Sequence, residues 1–248
     1  MATVSLNRPD VRNALNAELI GELSGAFKSL ANEAAVRAVV LTGAGKSFCA
    51  GADLNYMKEM ARYGKAENEA DAKLLSDMFA AIRACPKPVI ARVNGAAMGG
   101  GVGLVAVSDI AIAGDTAQFG FTEVKLGLVP SVISPYVVER IGSAPARRLF
   151  MTGERFEAKT AEKIGLVDLC VPDDVLDSII KEQVRALLSS GPKATGEAKK
   201  LVEAVCDLPK EEMRQHAIRK IAELRGSPEG QEGMAAFLEK RIAKWSDR

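Results

Sequence analysis

The sequence predicts an α/β fold with a helical C-terminal region. Short apolar runs at residues 89–93 and 110–113 have the composition of buried strands, and segments with a helical apolar stripe lie between such runs. Residues 173–245 carry helical patterns only. Because alternating strands and helices are typical of parallel sheets, we expect an α/β core over residues 1–172 and a helical region over residues 173–248.

The first part of the chain begins this alternation. Weak period-two patterning over residues 2–6 predicts a strand. An apolar stripe at helical spacing predicts a helix over residues 13–31, with Asn13 or Asn16 as its N-cap. Residues 36–41 then predict a buried strand.

The turn over residues 42–47 ends in the tripeptide GKS, which also ends a phosphate-binding P-loop. A P-loop needs glycine at the position of Val40, and no long helix follows the turn directly, so the sequence disfavours nucleotide hydrolysis. The turn instead leads into small residues over 48–54, with Asp53 near the cap of a following helix.

The rest of the chain supplies further elements. A helical pattern covers residues 54–84 with a break at 63–64, and its Met57 and Met60 are suited to an adaptable apolar pocket as well as to ordinary core packing. The other expected elements are two short helices within 137–150, a helix over 156–164, a strand over 166–171, and tail helices broken at 191–192, 207–209 and 226–228.

Charge and composition exclude several functional classes. The 248 residues carry 33 Lys and Arg against 32 Asp and Glu, so there is no bulk attraction to nucleic acid or an anionic membrane. No secretory signal is visible, and the longest uncharged run, residues 93–108, is too short and too rich in glycine to span a bilayer. We therefore expect a soluble cytoplasmic protein with no membrane partner.

The cysteines and the single histidine do not predict a metal site. No CxxC pair or metal-ligand spacing occurs, so buried or half-buried free thiols in a reducing compartment are expected. His216 is expected to be a surface or packing residue of the tail. The four cysteines are Cys49, Cys85, Cys170 and Cys206.

The stretch over residues 88–123 carries the functional signal. It contains a predicted strand, a cluster of glycines over 95–103, a second strand and one carboxylate, Glu123. Two strand-to-helix elbows, at residues 51–52 and 99–101, can each aim a free N–H at one carbonyl oxygen and so form an oxyanion hole. Tight packing between helix and strand accounts for the glycines equally well from the pattern alone.

Glu123 is the best candidate for acid/base chemistry. It lies among apolar residues, and burial would raise its pKa towards neutrality, where a carboxyl group can both accept and donate a proton. A solvated loop glutamate remains the alternative from the residues alone.

These motifs resemble the enoyl-CoA hydratase/isomerase (crotonase) superfamily, and the resemblance covers nearly the whole chain. It implies a spiral of ββα turns, a C-terminal trimerisation region, a homotrimer or dimer of trimers, and an acyl-CoA substrate with no cofactor or metal. The segments that carry it, in order, are residues 6–9 with 13–15, 47–54, 94–101, 117–120, 123–130 and 233–241.

Carried over by motif position, the resemblance implies oxyanion-hole N–H groups at Ala52 and Gly100 and a catalytic carboxylate at Glu123. Phe237 and Lys240 are implied to reach the CoA of a neighbouring subunit. Backbone contacts to CoA are implied for the first elbow, at Ala50, Gly51, Ala52, Asp53 and Leu54.

One departure from the family leaves the reaction open. Hydratases of the two-glutamate type carry one carboxylate at the position of Gly103, whereas single-glutamate relatives include double-bond isomerases. Residues 101–105 and 123–136 are nevertheless similar to bacterial methylglutaconyl-CoA hydratase-like members, which favours a hydratase acting on a branched or dicarboxylic 2-enoyl-CoA. The usual glycine-rich stretch after Pro130 is replaced by residues 131–134, whose serine hydroxyls could position water.

Two further expectations follow from the comparison with the family pattern. Family members usually carry a strand before the segment that matches residues 2–6, so we expect one edge strand to be absent or the start to be truncated. A non-catalytic acyl-CoA or RNA binder is the alternative of another class, although Lys193, Lys199 and Lys200 offer only a thin basic face and nucleic acid is not expected as a partner.

Overall fold

A computed structural model describes residues 1–246 and confirms the α/β fold. Residues 247 and 248, the end of the predicted helical region, lie outside the described residues. Within residues 1–246 the strands are β1 (Ala2–Leu6), β2 (Val39–Gly43), β3 (Ser47–Cys49), β4 (Val89–Val93), β5 (Ala96–Met98), β6 (Ile110–Gly114), β7 (Gln118–Gly120), β8 (Arg155–Glu157) and β9 (Leu169–Val171).

The α-helices of the described residues agree with the predicted order of elements. They are α1 (Ala17–Asn32), α2 (Leu54–Met60), α3 (Lys65–Arg83), α4 (Gly100–Ala106), α5 (Ser134–Ile141), α6 (Ser143–Thr152), α7 (Ala158–Lys163), α8 (Leu176–Ser189), α9 (Pro192–Asp207), α10 (Lys210–Gly226) and α11 (Pro228–Leu238). Two short 3₁₀ helices, Pro9–Val11 and Thr122–Leu126, complete the set.

The strands form two sheets, and successive turns of one spiral contribute a strand to each. The five-stranded sheet has the order β1-β2-β4-β6-β9 with every pairing parallel. The four-stranded sheet has the order β3-β5-β7-β8, and its last strand is antiparallel. The pairs β2-β3, β4-β5 and β6-β7 each give one strand to each sheet before the chain turns into a helical segment, which is the expected spiral of ββα turns.

Alternation along the strands divides the core between the two faces of the five-stranded sheet. Val39 and Leu41 belong to the main cluster, whereas Val40 between them points to the opposite face. There α8 covers the sheet with Leu176, Ile180 and Val184. The proposed division at residue 172 remains a prediction, and α8 packs directly on the core.

The expected bounds of two elements are wrong, and four short strands were missed. The strand expected over residues 36–41 begins at Val39 and continues to Gly43. The helix expected over residues 156–164 is preceded by strand β8 and covers only Ala158–Lys163. Strands β3, β5, β7 and β8 were not predicted, because three residues span barely one period of strand alternation and their pairing depends on neighbours distant in sequence.

Asn16, not Asn13, is the N-cap of α1. The Asn16 side chain accepts a hydrogen bond from the Leu19 N–H at 3.0 Å. Asn13 is fully buried with φ of +57°, a left-handed conformation that asparagine tolerates. Its amide donates to the carbonyls of Ala44 and Ser47 at 2.9 and 2.8 Å. Its Oδ1 accepts from the backbone N–H of Arg8 at 2.9 Å, so Asn13 joins the loop before α1 to the turn between β2 and β3.

The cysteine expectation holds in part. Cys49 and Cys85 are buried and Cys170 is half-buried, but Cys206 is exposed on α9, which corrects the expectation for that residue. His216 is half-buried on α10. Within residues 1–246, no helix has both the length and the apolar character needed to cross a membrane.

Replacing Asn13 by alanine is expected to destabilise the fold by about 2–4 kcal/mol, because three part-buried backbone groups lose their partner and the left-handed conformation loses a tolerant residue. Urea denaturation at one protein concentration measures the change. Asn32→Ala is the matched control, since the Asn32 amide bonds only to the Lys28 carbonyl on the surface, and it should be close to neutral. Equal effects of the two substitutions would contradict the role of Asn13.

Candidate active site

A cavity of about 370 Å³ lies where the two strand-to-helix elbows meet the 3₁₀ helix Thr122–Leu126. Glu123 is the one ionisable side chain among its lining residues in the part of the chain that the structure describes. The lining consists of Ala50, Gly51, Ala52, Leu54, Met57, Met60, Leu75, Met98, Gly99, Gly100, Thr122, Glu123, Leu126, Leu128, Val129, Pro130, Ser131, Val132 and Ile133.

Asp53 anchors the first elbow as the N-cap of α2, as predicted. Its carboxylate accepts from the N–H groups of Asn55 and Tyr56 at 2.8 and 3.3 Å and forms a 2.8 Å ion pair with Arg8. Burial alone would raise the pKa of Asp53, but the Asn55 N–H and the Arg8 guanidinium outweigh burial and hold the pKa below its usual value.

Leu15 determines the direction of the Ala52 N–H. The Leu15 N–H donates to the Gly51 carbonyl at 2.7 Å, and the Asp53 N–H donates to the Leu15 carbonyl at 2.9 Å. Because parallel pairing uses the groups on either side of Ala52, the N–H of Ala52 itself points away from Leu15, on the side of the cavity. Among residues 1–246 this N–H has no acceptor.

The second elbow places another N–H at the same cavity. Gly99 has φ of +48°, a conformation that favours glycine, and its N–H donates to the Gly120 carbonyl at 2.9 Å. Gly100 begins α4, where the first N–H groups lack an acceptor within the helix. The Gly100 N–H likewise has no partner within the described residues.

Tight packing between helix and strand explains other glycines of the cluster. The cluster therefore contains glycines of both expected kinds, those that shape an elbow and those that allow close packing. A Cβ on Gly101 would lie 2.9 Å from Cys49 Cβ and closer still to the Cys49 carbonyl oxygen, and a Cβ on Gly95 would collide with the Lys46 carbonyl. The Gly101 contact holds the start of α4 directly against Cys49, at the end of β3 just before the first elbow.

Glu123 is half-buried and faces the second elbow. A Cβ added to Gly99 would lie 2.9 Å from Glu123 Oε1, so this glycine leaves room for the carboxylate. Glu123 Oε2 is buried and has no hydrogen-bond partner among the described residues. Burial therefore raises the pKa of Glu123, and the side chain is not that of a solvated loop residue.

Gly103 has no room for a side chain. A Cβ there would lie 2.8 Å from Phe79 Cζ and closer still to Ile133 Cγ2, and Phe79 is fully buried. A second carboxylate at this position would require these two side chains to move.

Of the residues expected to contact CoA, some line the cavity and others lie away from it. Asp53 is absent from the cavity lining because its carboxylate is used within the elbow. Phe237, at the end of α11, is 83% exposed, and neither it nor Lys240 reaches the cavity of its own subunit. Their contact with a neighbouring subunit remains a prediction. Ala50, Gly51, Ala52 and Leu54 line the cavity.

Sequence reasoning missed most of the apolar wall opposite the elbows. Met57 and Met60 line the cavity, as one of their two interpretations held, and Leu75 of α3, for which no site role was predicted, joins them. The apolar segment over residues 126–133 lines it too, whereas the sequence predicted a role only for the serine hydroxyls within residues 131–134. The available signal was the position of this apolar run, directly after an acid and ending near Ser131.

The predicted basic face is largely neutralised. Lys199 pairs with Asp109 and Lys200 with Glu197, each at 2.9 Å. These ion pairs leave little net positive charge on this surface for phosphate contact.

Comparison with known proteins agrees with this geometry. The sequence model of the family described as enoyl-CoA hydratase/isomerase matches residues 1–248. The short-chain-enoyl-CoA hydratase of Clostridium acetobutylicum is 34% identical over 243 residues, which cover 97% of this chain and 92% of that protein.

Solved structures extend the similarity to three dimensions. An enoyl-CoA hydratase from Shewanella pealeana has a TM-score of 0.95 and 38% identity, covering 98% of this chain and 91% of that one. Pseudomonas aeruginosa AtuE also has a TM-score of 0.95 and 38% identity, covering 98% and 95%. The finer similarity to methylglutaconyl-CoA hydratase-like members remains a prediction. With its spiral of ββα turns and paired elbows, the chain belongs to the enoyl-CoA hydratase/isomerase (crotonase) superfamily of enzymes.

Proposed function

We propose that the protein is a hydratase that adds water to the double bond of a 2-enoyl-CoA thioester. One observation carries the proposal: two backbone N–H groups without acceptors, at Ala52 and Gly100, line the same cavity as a buried, unpaired carboxylate oxygen of Glu123. Donors for an oxyanion and a base for water are the two requirements of this reaction. The hydratase names of relatives at about 35% identity support the same reaction.

In this scheme the Ala52 and Gly100 N–H groups donate to the thioester oxygen. When water attacks C3, the π electrons of the double bond move towards that oxygen and form an enolate. The two N–H groups bind the enolate oxygen more strongly than the neutral carbonyl, and loss of one such donor typically costs ~10²–10³ in rate. The CoA thioester is the substrate, and no step calls for a cofactor.

Glu123 carries both proton transfers. Its carboxylate takes a proton from the attacking water, and the resulting carboxyl group then gives a proton to C2 of the enolate. One proton and one hydroxyl group are thereby added, and Glu123 returns to its starting state. Its raised pKa suits the second step, because a carboxyl group with the usual pKa would be a poor match for proton transfer near neutral pH.

The active assembly in this proposal is a homotrimer or a dimer of trimers. Exposed apolar side chains on the C-terminal helices support assembly, because a monomer rarely leaves such a set in water. Phe237 and Lys240 would then reach the CoA of the neighbouring subunit, as the family pattern implies. The exposed set includes Val202 and Val205 of α9 and Ile218 and Ile221 of α10.

A double-bond isomerase is the second candidate, and Gly103 is the observation that favours it. Phe79 and Ile133 pack against Gly103, and the cavity lining formed by residues 1–246 holds no acid other than Glu123. One carboxylate suffices to take a proton from C2 of a 3-enoyl-CoA and return it to C4. The same oxyanion donors would stabilise the dienolate.

Glu123→Gln is expected to lower kcat by about 10²–10⁴-fold with little change in KM, because the amide cannot accept the water proton. The loss of enoyl absorbance with crotonyl-CoA and 3-methylglutaconyl-CoA measures the rate. Glu157→Gln, which alters an exposed glutamate on β8 outside the cavity, should retain full activity. Retention of wild-type rates by Glu123→Gln would overturn the proposal.

Labelled water separates the two candidate reactions. A hydratase in H₂¹⁸O places one ¹⁸O atom in the product of a 2-enoyl-CoA, and mass spectrometry detects it. An isomerase converts a 3-enoyl-CoA to the conjugated isomer without incorporating label at that step. Conjugation of the 3-enoyl-CoA together with no label from any 2-enoyl-CoA would replace the hydratase proposal by the isomerase.

The same Glu123→Gln substitution is expected to raise Tm at neutral pH. Because the folded-state pKa of Glu123 is raised, the folded state binds more protons than the unfolded state between the two pKa values, so stability falls as pH rises through that window. Glutamine removes this penalty above the window. Below the unfolded-state pKa, Glu123 is protonated in both the folded and the unfolded state, so the Tm difference between Glu123→Gln and the wild type should disappear. A Tm difference independent of pH would argue against ionisation as its cause.

A further inference from the structure

One apolar wall of the cavity comes from two helices that residues 61–64 connect. Met57 and Met60 belong to α2, and Leu75 belongs to α3. The three side chains form one wall only while α2 keeps a set position relative to α3. The contacts between these two helices therefore determine the shape of this side of the cavity.

Helix α2 is too short to be stable without contacts to the rest of the fold. It has seven residues, whereas isolated helices shorter than about 12–15 residues are only marginally stable in water. The Asp53 cap engages the N–H groups of its first turn. Tyr56 is the one buried residue of α2, and its ring belongs to the main hydrophobic core. The position of α2 therefore depends strongly on the contacts of Tyr56.

The Tyr56 hydroxyl connects α2 to α3. It donates a hydrogen bond to Asp71 Oδ1, 15 residues further along the chain. A carboxylate acceptor makes such a bond stronger than one between neutral groups. Within residues 1–246 it is the one side-chain hydrogen bond or ion pair that joins α2 to another helix or strand. Burial and the hydrogen bond to Asp71 raise the pKa of Tyr56, so the hydroxyl remains a donor at neutral pH.

This hydrogen bond lies close to the cavity wall on both helices. On α2, Met60 follows Tyr56 by four residues. On α3, Leu75 follows Asp71 by the same number. Residues four apart lie on one face of a helix, one turn from each other. Met60 and Leu75 both pack on the main hydrophobic core, to which the Tyr56 ring belongs.

From these contacts we propose that Tyr56 and Asp71 are positioning residues, which hold α2 against α3 so that the apolar wall keeps its contact with the acyl group of a bound thioester. The inference rests on the proposed function for the identity of the ligand. Neither residue lines the cavity, and both act through the side chains that do.

The energetic contribution of the wall is measured by comparing two unreactive thioesters in calorimetry with the full chain. Butyryl-CoA has two more methylene groups than acetyl-CoA, so the wild-type protein should bind butyryl-CoA about tenfold more tightly. Tyr56→Phe keeps the ring and removes the hydroxyl. We expect this variant to bind butyryl-CoA only about twofold more tightly than acetyl-CoA, with the affinity for acetyl-CoA unchanged. Equal affinities in the wild type, or a tenfold ratio that persists in Tyr56→Phe, would overturn the inference.

Three further variants separate positioning from a general effect on stability. Asp71→Ala should lower the ratio as Tyr56→Phe does, and the double variant should lower it no further. Asp71→Asn keeps an oxygen acceptor and should retain the wild-type ratio. Tyr63→Phe is the matched control, because the half-buried Tyr63 hydroxyl makes no hydrogen bond within the described residues. A lower Tm in Tyr56→Phe and Asp71→Ala with an unchanged ratio would show a structural role only and would contradict the proposal.

The hydratase proposal and the positioning proposal fail in different ways. If no enoyl-CoA turns over while the ratio falls in Tyr56→Phe, the hydratase proposal fails and the positioning role stands. If enoyl-CoA turns over and Tyr56→Phe changes neither the ratio nor the KM for crotonyl-CoA, the positioning role fails and the hydratase proposal stands. A wild-type protein that binds neither thioester would overturn both.

Discussion

The hydrogen bonds between Leu15 and the first elbow are the constraint on which the site depends. They engage the Gly51 carbonyl and the Asp53 N–H, and this leaves the N–H of Ala52 directed at the cavity. Leu15 is held in position for these bonds because Asn13, buried in a left-handed conformation, fixes the preceding loop against the turn between β2 and β3. The direction of the Ala52 N–H is therefore determined by a loop about 40 residues earlier in the chain.

The spiral brings the second elbow beside the first. Each turn sends one short strand to the four-stranded sheet, and the neighbouring strands β3 and β5 end at the two elbows. Strand β7 follows beside β5, accepts the Gly99 N–H at Gly120, and leads within three residues to Glu123. Three successive turns thus contribute the Ala52 N–H, the Gly100 N–H and the carboxylate. Repetition of a single backbone motif is enough to make these groups converge.

The sequence predicts what is encoded locally. Long elements such as α1 and α3, the strands of the five-stranded sheet and the cap at Asp53 follow from patterns contained in a short window. The three-residue strands, the buried role of Asn13 and the contact between Gly103 and Ile133 each require partners distant in sequence. The burial of Glu123 belongs to this second group, since its carboxylate lies against Gly99 of the second elbow, which is distant in sequence. Family resemblance, not periodicity, identified Glu123 as the favoured catalyst.

A carboxylate with a buried oxygen that lacks a partner is a costly arrangement for the fold, which supports the catalytic role proposed for Glu123. Glu123 Oε2 is removed from water without a hydrogen-bond partner in the described residues, and such a group destabilises the folded state when ionised. The packing of Phe79 and Ile133 against Gly103 leaves no space for a second acid to share proton transfer. In both of the proposed reactions, one carboxyl group acts first as base and then as acid. A group that performs both roles needs a pKa between those of an ordinary glutamate and the enolate carbon, and desolvation without a neutralising partner shifts its pKa in that direction.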